Sequence, residues 1–291
     1  MIIKVKNEIH LISLLLEEFG TATRSGVKRL ILNRNILVNG TVVTNPVMDI
    51  KPGDVVEYKK YKAQPNTENA PFPVLYEDDV ILVTEKPAGI LTHAEKGTAG
   101  TSLYKEMLEF IKERSKGKER IFVVHRLDRE VSGIVLFAKD EEIQQQIKDN
   151  WKQTKKKYYA LVHGKPEEMK GTLTSWLMEG ANQRVRSVRE QDGAKLAVTH
   201  YEVIRELPEQ TLLDVTLETG RKNQIRVQFS EMGCPVVGDW RYGSKDPVKR
   251  RIRLHAYFFS MTHPVSGEVL EFNSRLPKGF LTLGDKEETY K

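Results

Sequence analysis

Leu11, Leu14, Leu15 and Phe19 recur three and four residues apart and stop at Gly20, a spacing that predicts a helix over residues 9–20. Val27, Leu30 and Ile31 repeat the period, with Ser25 placed to cap a second helix. The pattern then changes. Residues 36–43 read Ile-Leu-Val-Asn-Gly-Thr-Val-Val, two short apolar runs around an Asn-Gly pair, which is the signal of a hairpin whose turn matches strand twist. Pro52-Gly53 marks another turn, and residues 54–58 read as a strand. Residues 63–73 are proline-rich and polar with almost nothing to bury, and predict a linker. The chain thus divides into a small unit, 1–62, and a larger one, 74–291.

In the larger unit, residues 74–84 lead into an apolar strand at 80–83 that ends on Glu85-Lys86-Pro87-Ala88-Gly89. Pro87 and Gly89 suit a rigid turn, and His93 is expected to pack at the strand end. Leu103, Met107, Phe110 and Ile111 form a helical stripe over 102–114, followed by a charged loop. Apolar runs at 121–124 and 134–138 bracket a polar stretch, His125-Arg126-Leu127-Asp128-Arg129-Glu130-Val131-Ser132-Gly133, which reads as strand, tight loop, strand. Asp140 is placed to cap a helix carrying Ile143, Ile147 and Trp151. A basic run at 152–157 enters a strand in which Tyr158 and Tyr159 point to opposite faces. Arg184 and Arg186 share one strand face, as the lining of an RNA groove or as a solvated sheet edge. Residues 212–217 alternate as a further strand.

Composition narrows the classes. The chain has 291 residues, a hydrophobic fraction of 39% and a net charge of +6, which fits a packed core and a polyanionic partner. The single cysteine, Cys234, excludes an intrachain disulfide and reads as a small buried apolar residue. No stretch approaches the roughly 20 apolar residues of a membrane span, and the first residues lack the apolar core of a signal peptide. A cytoplasmic protein with no membrane contact is expected. Cysteine and histidine show no metal-ligand spacing, and no phosphate-binding glycine loop is present.

Residues 125–133 carry the chemistry, and two readings are open on the residues alone. The loop's charges either pair with one another at a surface, or Asp128 is a positioned carboxylate, kept ionised by Arg126, Arg129 and His125. In the second case it is fit to act as nucleophile or base. His-Arg-Leu-Asp followed by Ser-Gly resembles the signature loop of the RluA-type pseudouridine synthases, which isomerise uridine within RNA; Val131 stands where that family usually has Thr. Glu85-Lys86-Pro87-Ala88-Gly89 resembles its Asn-Lys-Pro-x-Gly, with Glu85 for Asn. Residues 156–162 resemble its Lys-x-Tyr-x-Ala-Leu-Val. Gly220-Arg221-Lys222-Asn223-Gln224-Ile225-Arg226 resembles its Gly-Arg-Thr-His-Gln-Ile-Arg, with Lys222-Asn223 for Thr-His. Gly238-Asp239, Tyr242-Gly243, Leu254-His255-Ala256 and His263-Pro264 continue the pattern in order. In residues 1–62, two helices and a hairpin resemble the RNA-binding module of ribosomal protein S4.

The resemblance implies an α+β fold: a mixed, mainly antiparallel-sheet catalytic domain with a small N-terminal α+β RNA-binding domain. It implies that Asp128 is catalytic, that Arg226 pairs with it, and that Tyr158 stacks on the target base and accepts its proton. Arg126 would fill the gap left by the flipped uridine. His125, Lys156, Arg221, Gln224, Ile225 and Leu254 would surround the substrate. Arg24, Lys28, Arg29 and Arg34 would contact RNA, with Arg24 and Lys28 on one helix face. The expected partner is RNA, with large-subunit ribosomal RNA favoured over transfer RNA, and the expected enzyme is a monomer that uses no cofactor. Two other readings compete. A non-catalytic ribosome assembly factor on the same fold would bind RNA without product. A hydrolytic glycosidase would need two carboxylates flanking the bond, and only Glu130 lies near Asp128.

Overall fold

The computed structural model describes residues 1–20, 22–32, 35–58, 67–94, 101–180, 183–246 and 251–281. Arg34 and residues 63–66 of the expected linker lie outside them. The N-terminal unit runs β1 (Ile2–Lys4), β2 (Ile9–His10), α1 (Leu11–Phe19), α2 (Arg24–Leu32), β3 (Ile36–Val38), β4 (Thr41–Val42), β5 (Asp49–Ile50) and β6 (Val55–Tyr58). Leu11, Leu14, Leu15 and Phe19 are buried, as their spacing requires. The cap of α2 is Thr23, whose hydroxyl accepts the amide of Gly26 at 3.1 Å. Ser25, expected there, lies inside the helix and donates to Asp140 at 2.9 Å. Asn39 and Gly40 both take positive φ, which closes the β3–β4 hairpin. The four-stranded sheet has the order β1-β6-β3-β4, and β2 pairs with β5 beside it.

The larger unit follows with β7 (Val74–Glu77), β8 (Ile81–Lys86), α3 (Leu103–Arg114), β9 (Phe122–Val123), β10 (Ser132–Ala138), α4 (Glu141–Asp149), β11 (Lys155–His163), β12 (Lys170–Glu179) and β13 (Val185–Val188). It continues with β14 (Lys195–Glu206), β15 (Gln210–Leu217), α5 (Gln224–Glu231), β16 (Leu254–Thr262) and β17 (Val269–Asn273). Eleven of these strands form one sheet, in the order β13-β12-β14-β15-β11-β16-β10-β8-β7, with β17 on β16 and β9 on β10. The pairs are antiparallel except β10 with β16, which is parallel and sets Ser132 opposite His255 and Gly133 opposite Ala256. A mixed, mainly antiparallel sheet behind a small N-terminal α+β unit is what the resemblance implied. Among the described residues no helix is long and apolar enough to cross a membrane.

β10 is buried along its whole length, and its alternation divides the core. Ile134, Leu136 and Ala138 face one apolar cluster, while Val135 and Phe137 face another that includes Leu103, Met107 and Ile111 of α3. The first cluster also contains Leu15, Val27 and Ile31 from the N-terminal unit, so residues 2–58 and the large sheet share one core. At their junction a Cβ on Gly26 would sit 3.0 Å from Ile143 of α4, and Arg29 donates to the carbonyl of Lys139.

Helix α5 escapes the periodicity argument for a physical reason. Gln224, Arg226 and Gln228 are as buried as Ile225, Val227 and Phe229, so no apolar stripe marks the helix.

The parallel junction requires Gly133. Its φ is +126°, and a Cβ there would lie 2.2 Å from the carbonyl oxygen of Ala256. Gly133→Ala is expected to lower stability by about 3 kcal/mol or more, read by urea denaturation. A loss below about 1 kcal/mol would contradict this close approach.

Candidate active site

The loop between β9 and β10 holds Asp128, and polar bonds from a neighbouring turn fix it. The Thr92 hydroxyl accepts the amide of Leu127 at 3.0 Å and donates to its carbonyl at 2.9 Å. Lys86, fully buried, gives its ammonium to the carbonyls of Pro87 (3.0 Å), Ile90 (2.9 Å) and Arg129 (3.2 Å). Burial pushes the Lys86 pKa down to about 8, against the pull of the Asp128 and Glu130 carboxylates. Arg129 turns away from Asp128: its Nε donates to the Gly89 carbonyl at 2.9 Å, and its own carbonyl accepts the Gly89 amide at 2.8 Å. Lys86 and Thr92 therefore staple the loop, a role that the sequence reading missed: Lys86 stood in a motif without a role, and Thr92 in none.

Arg226, on the first turn of α5, meets Asp128. Its Nη1 donates to Asp128 Oδ2 at 2.9 Å and to Asn223 Oδ1 at 3.2 Å. Its other edge is taken by Asp239, which accepts Nε at 2.6 Å and Nη2 at 2.9 Å and is itself buried. The guanidinium also lies 5.1 Å from the centre of the Tyr242 ring. Burial opposes its charge, but the Asp239 and Asp128 carboxylates outweigh that and hold the arginine firmly protonated. Glu130 Oε2 lies 3.8 Å from the same Nη1. Both loop carboxylates thus converge on one nitrogen instead of facing each other across a substrate, which is unfavourable geometry for a glycosidase.

Asp128 opens onto a cleft of about 580 Å3, a volume usual for a small-ligand site. Of the residues expected at the site, Arg126, Asp128, Tyr158, Arg221, Gln224, Ile225, Arg226 and Leu254 line it; Glu179, Gln183, Lys222 and Asn223 join them. Val131, Leu217, Ile225 and Leu254 form its apolar wall. Arg126 is exposed. Burial and the nearby Asp128 carboxylate raise the Tyr158 pKa, so its phenol is neutral. Arg221 directs its Nε to the Leu196 carbonyl at 3.0 Å. Gln224 spends its amide on the fold. It donates to Thr199 (2.8 Å) and Val198 (3.0 Å) and accepts from Thr219 (2.8 Å) and the Arg221 amide (2.9 Å).

Two expected neighbours of the substrate are elsewhere. His125 is not a cation beside Asp128. It accepts the Leu136 amide at 3.0 Å and stacks on Phe259, with ring centres 5.6 Å apart. Burial, with the Lys156 charge nearby, pushes its pKa down to about 3. Lys156 holds its ammonium 5.0 Å from the Trp151 ring centre. The β11–β16 ladder shifts register between Lys157 and Tyr158, so simple alternation does not carry Lys156 into the surroundings of Tyr158. His93 is exposed and lies against Tyr104, 5.1 Å between rings, where strand-end burial was expected. Arg24 and Lys28 are exposed on α2, whereas Arg29 is taken up by Lys139. Cys234 is buried.

Residues 80–231 match the family described as RNA pseudouridylate synthase, and residues 14–56 match the S4 domain. The chain is 31% identical over 283 residues to an uncharacterized RNA pseudouridine synthase of Synechocystis sp., covering 92% of this chain and 86% of that one. It is 37% identical over 227 residues to ribosomal large subunit pseudouridine synthase D of Nitrosomonas europaea, covering 74% and 65% of the two chains. A solved structure, Human RNA Pseudouridylate Synthase Domain Containing 4, shares the fold with a TM-score of 0.61 at 24% identity, over 72% of this chain and 90% of that one.

The His125 environment gives a pH test with a definite sign. Its pKa is 6.5 when solvated and about 3 when folded, so between these values the unfolded chain binds a proton that the folded chain does not. Its contribution to stability is therefore lost as pH falls through that window. The stability advantage of wild type over His125→Gln is expected to narrow from pH 7 to pH 5 in urea titrations. A histidinium paired with Asp128 would make the advantage widen.

Proposed function

The chain belongs to the RNA pseudouridine synthase family, and from that premise we propose that it isomerises uridine to pseudouridine at specific positions of large-subunit ribosomal RNA, with Asp128 as its catalytic carboxylate. The ribosomal substrate is supported by relatives named ribosomal large subunit pseudouridine synthase D. One observation carries the site assignment. Asp128 faces an apolar-walled cleft, takes its hydrogen bond from a buried arginine, and has a neutral tyrosine beside it.

The reaction breaks the bond from ribose C1′ to uracil N1, turns the ring, and joins C5 to the same C1′. C5 then loses its proton and N1 gains one. No group leaves and no electrons pass to an outside acceptor, so the chemistry calls for no cofactor. Asp128 acts at the ribose. Ile225, Leu254, Leu217 and Val131 hold the detached ring and keep water from it. Tyr158 gives the base a ring to lie on. Its neutral phenol receives the C5 proton only by passing its own on, which makes it a relay and not a phenolate base.

The uridine has to leave its stack, at a cost of about a few kcal/mol. Arg126 fills the gap, a reading supported by its exposure at the cleft. Arg24 and Lys28 follow phosphates along the RNA without reading sequence. The proposed enzyme is a monomer of the cytoplasm.

Pseudouridine mapping on RNA from cells with and without this gene tests the reading. A large-subunit site should vanish on deletion and return with wild type but not with Asp128→Asn. Persistence of every site in the deletion strain would refute the assignment. Tyr158→Phe keeps the ring and loses the hydroxyl. Its RNA affinity should stay within about twofold while turnover falls roughly a hundredfold, the size of a lost acid–base group.

A further inference from the structure

A second cleft, of about 450 Å3, lies beside the first. The chain steps from one to the other at three places: Glu179 to Gly180, Gln183 to Arg184, and Arg226 to Val227. Val185, Val227 and the Tyr242 ring, all buried, give the second cleft an apolar floor. Its rim carries Arg184 and Arg186, both exposed and neither with an acidic partner among the described residues. The acid on the rim, Glu231, is already bound: it accepts the Ser187 amide at 3.1 Å and the Ser187 hydroxyl. What the cleft presents is a net positive rim, two exposed guanidiniums against one carboxylate.

The two clefts share a wall. Arg184 lies 5.5 Å from the Tyr242 ring centre, and Arg226 lies 5.1 Å from it. The Tyr242 hydroxyl accepts the Val185 amide at 3.1 Å and the Asn223 side-chain amide at 2.9 Å. The segment carrying Arg184 and Arg186 is thus bonded to the residue that supports the Asp128–Arg226 pair.

We propose that this cleft is a second RNA subsite, which takes a nucleotide flanking the target uridine. Its phosphodiester meets Arg184 and Arg186, whose planar donors suit phosphate oxygens. The inference rests on the reading of the chain as an RNA-modifying enzyme. It adds a contact that the cleft over Asp128 does not supply.

The test uses the full chain and an in-vitro transcript of large-subunit ribosomal RNA. Wild type, Arg186→Gln and the Arg184→Gln/Arg186→Gln double variant are compared by filter binding across a salt series and by pseudouridine formation at saturating RNA. Each lost phosphate contact should lower the slope of log affinity against log salt by about 0.7–0.9. Arg186→Gln should weaken binding several-fold yet leave the saturated rate within about twofold, because its side chain bonds nothing among the described residues; the single variant also guards against a folding defect in the double. Unchanged affinity and salt slope in both variants would overturn the proposal, and would leave the arginines to a partner other than RNA. If the slope falls as expected but wild type makes no pseudouridine in this transcript, the subsite stands and the assignment of this RNA as substrate falls.

Discussion

A guanidinium held out of water has to be compensated, and the compensation of Arg226 sets the geometry of the site. Stripping water from such a charge costs several kcal/mol, recovered only when its donors are well placed. Asp239, 1% exposed, takes two of those donors in a fixed fork. That leaves one nitrogen, Nη1, for Asn223 and Asp128. The direction in which Asp128 faces the cleft is therefore decided by a carboxylate on the far side of the arginine. Removing one partner from a buried pair of this kind typically costs about 3–5 kcal/mol, so the site's chemistry and its local stability are hard to separate.

The loop bearing Asp128 is held to the same standard from the other side. Thr92 bonds both backbone groups of Leu127, Lys86 clamps the carbonyl of Arg129, and the chain then enters the parallel junction at Gly133. Lys86 ends β8 and the junction is made with β16, the two strands that flank β10, while Thr92 lies in the turn that follows β8. A reactive carboxylate placed by rigid elements loses less to disorder than one on a free loop, and small displacements of reacting groups are costly. The N-terminal unit shares the apolar cluster behind β10, so its exposed Arg24 and Lys28 stand on the same packed body as the cleft.

Much of this was legible in the sequence because local patterns and packing agree. The α1 stripe, the Asn39-Gly40 hairpin, the Asp140 cap and the β10 run all lie where their periods put them. The motif resemblance pointed to Asp128, Tyr158 and Arg226, and they meet at one cleft. What was not legible depends on partners distant in the chain. His125 looks cationic in a row of charges, but burial against Phe259 makes it neutral. Lys156 keeps its motif position and loses its expected surroundings at a register shift. Helix α5 buries glutamine and arginine alongside isoleucine and phenylalanine, which erases the stripe that marks a helix. Lys86 stands in a motif that gave it no role, and Thr92 stands in none; what they do exists only once the loop is folded over them.

The central claim is that Asp239 aims Asp128 through Arg226. Asp239→Asn keeps the shape and removes the charge that fixes the guanidinium. Single-turnover pseudouridine formation, measured alongside RNA affinity, should show a rate about a hundredfold lower, the usual cost of a misplaced reacting group, with affinity within about twofold of wild type. A variant with the wild-type rate, or one whose loss of rate is matched by its loss of RNA binding, would contradict the account.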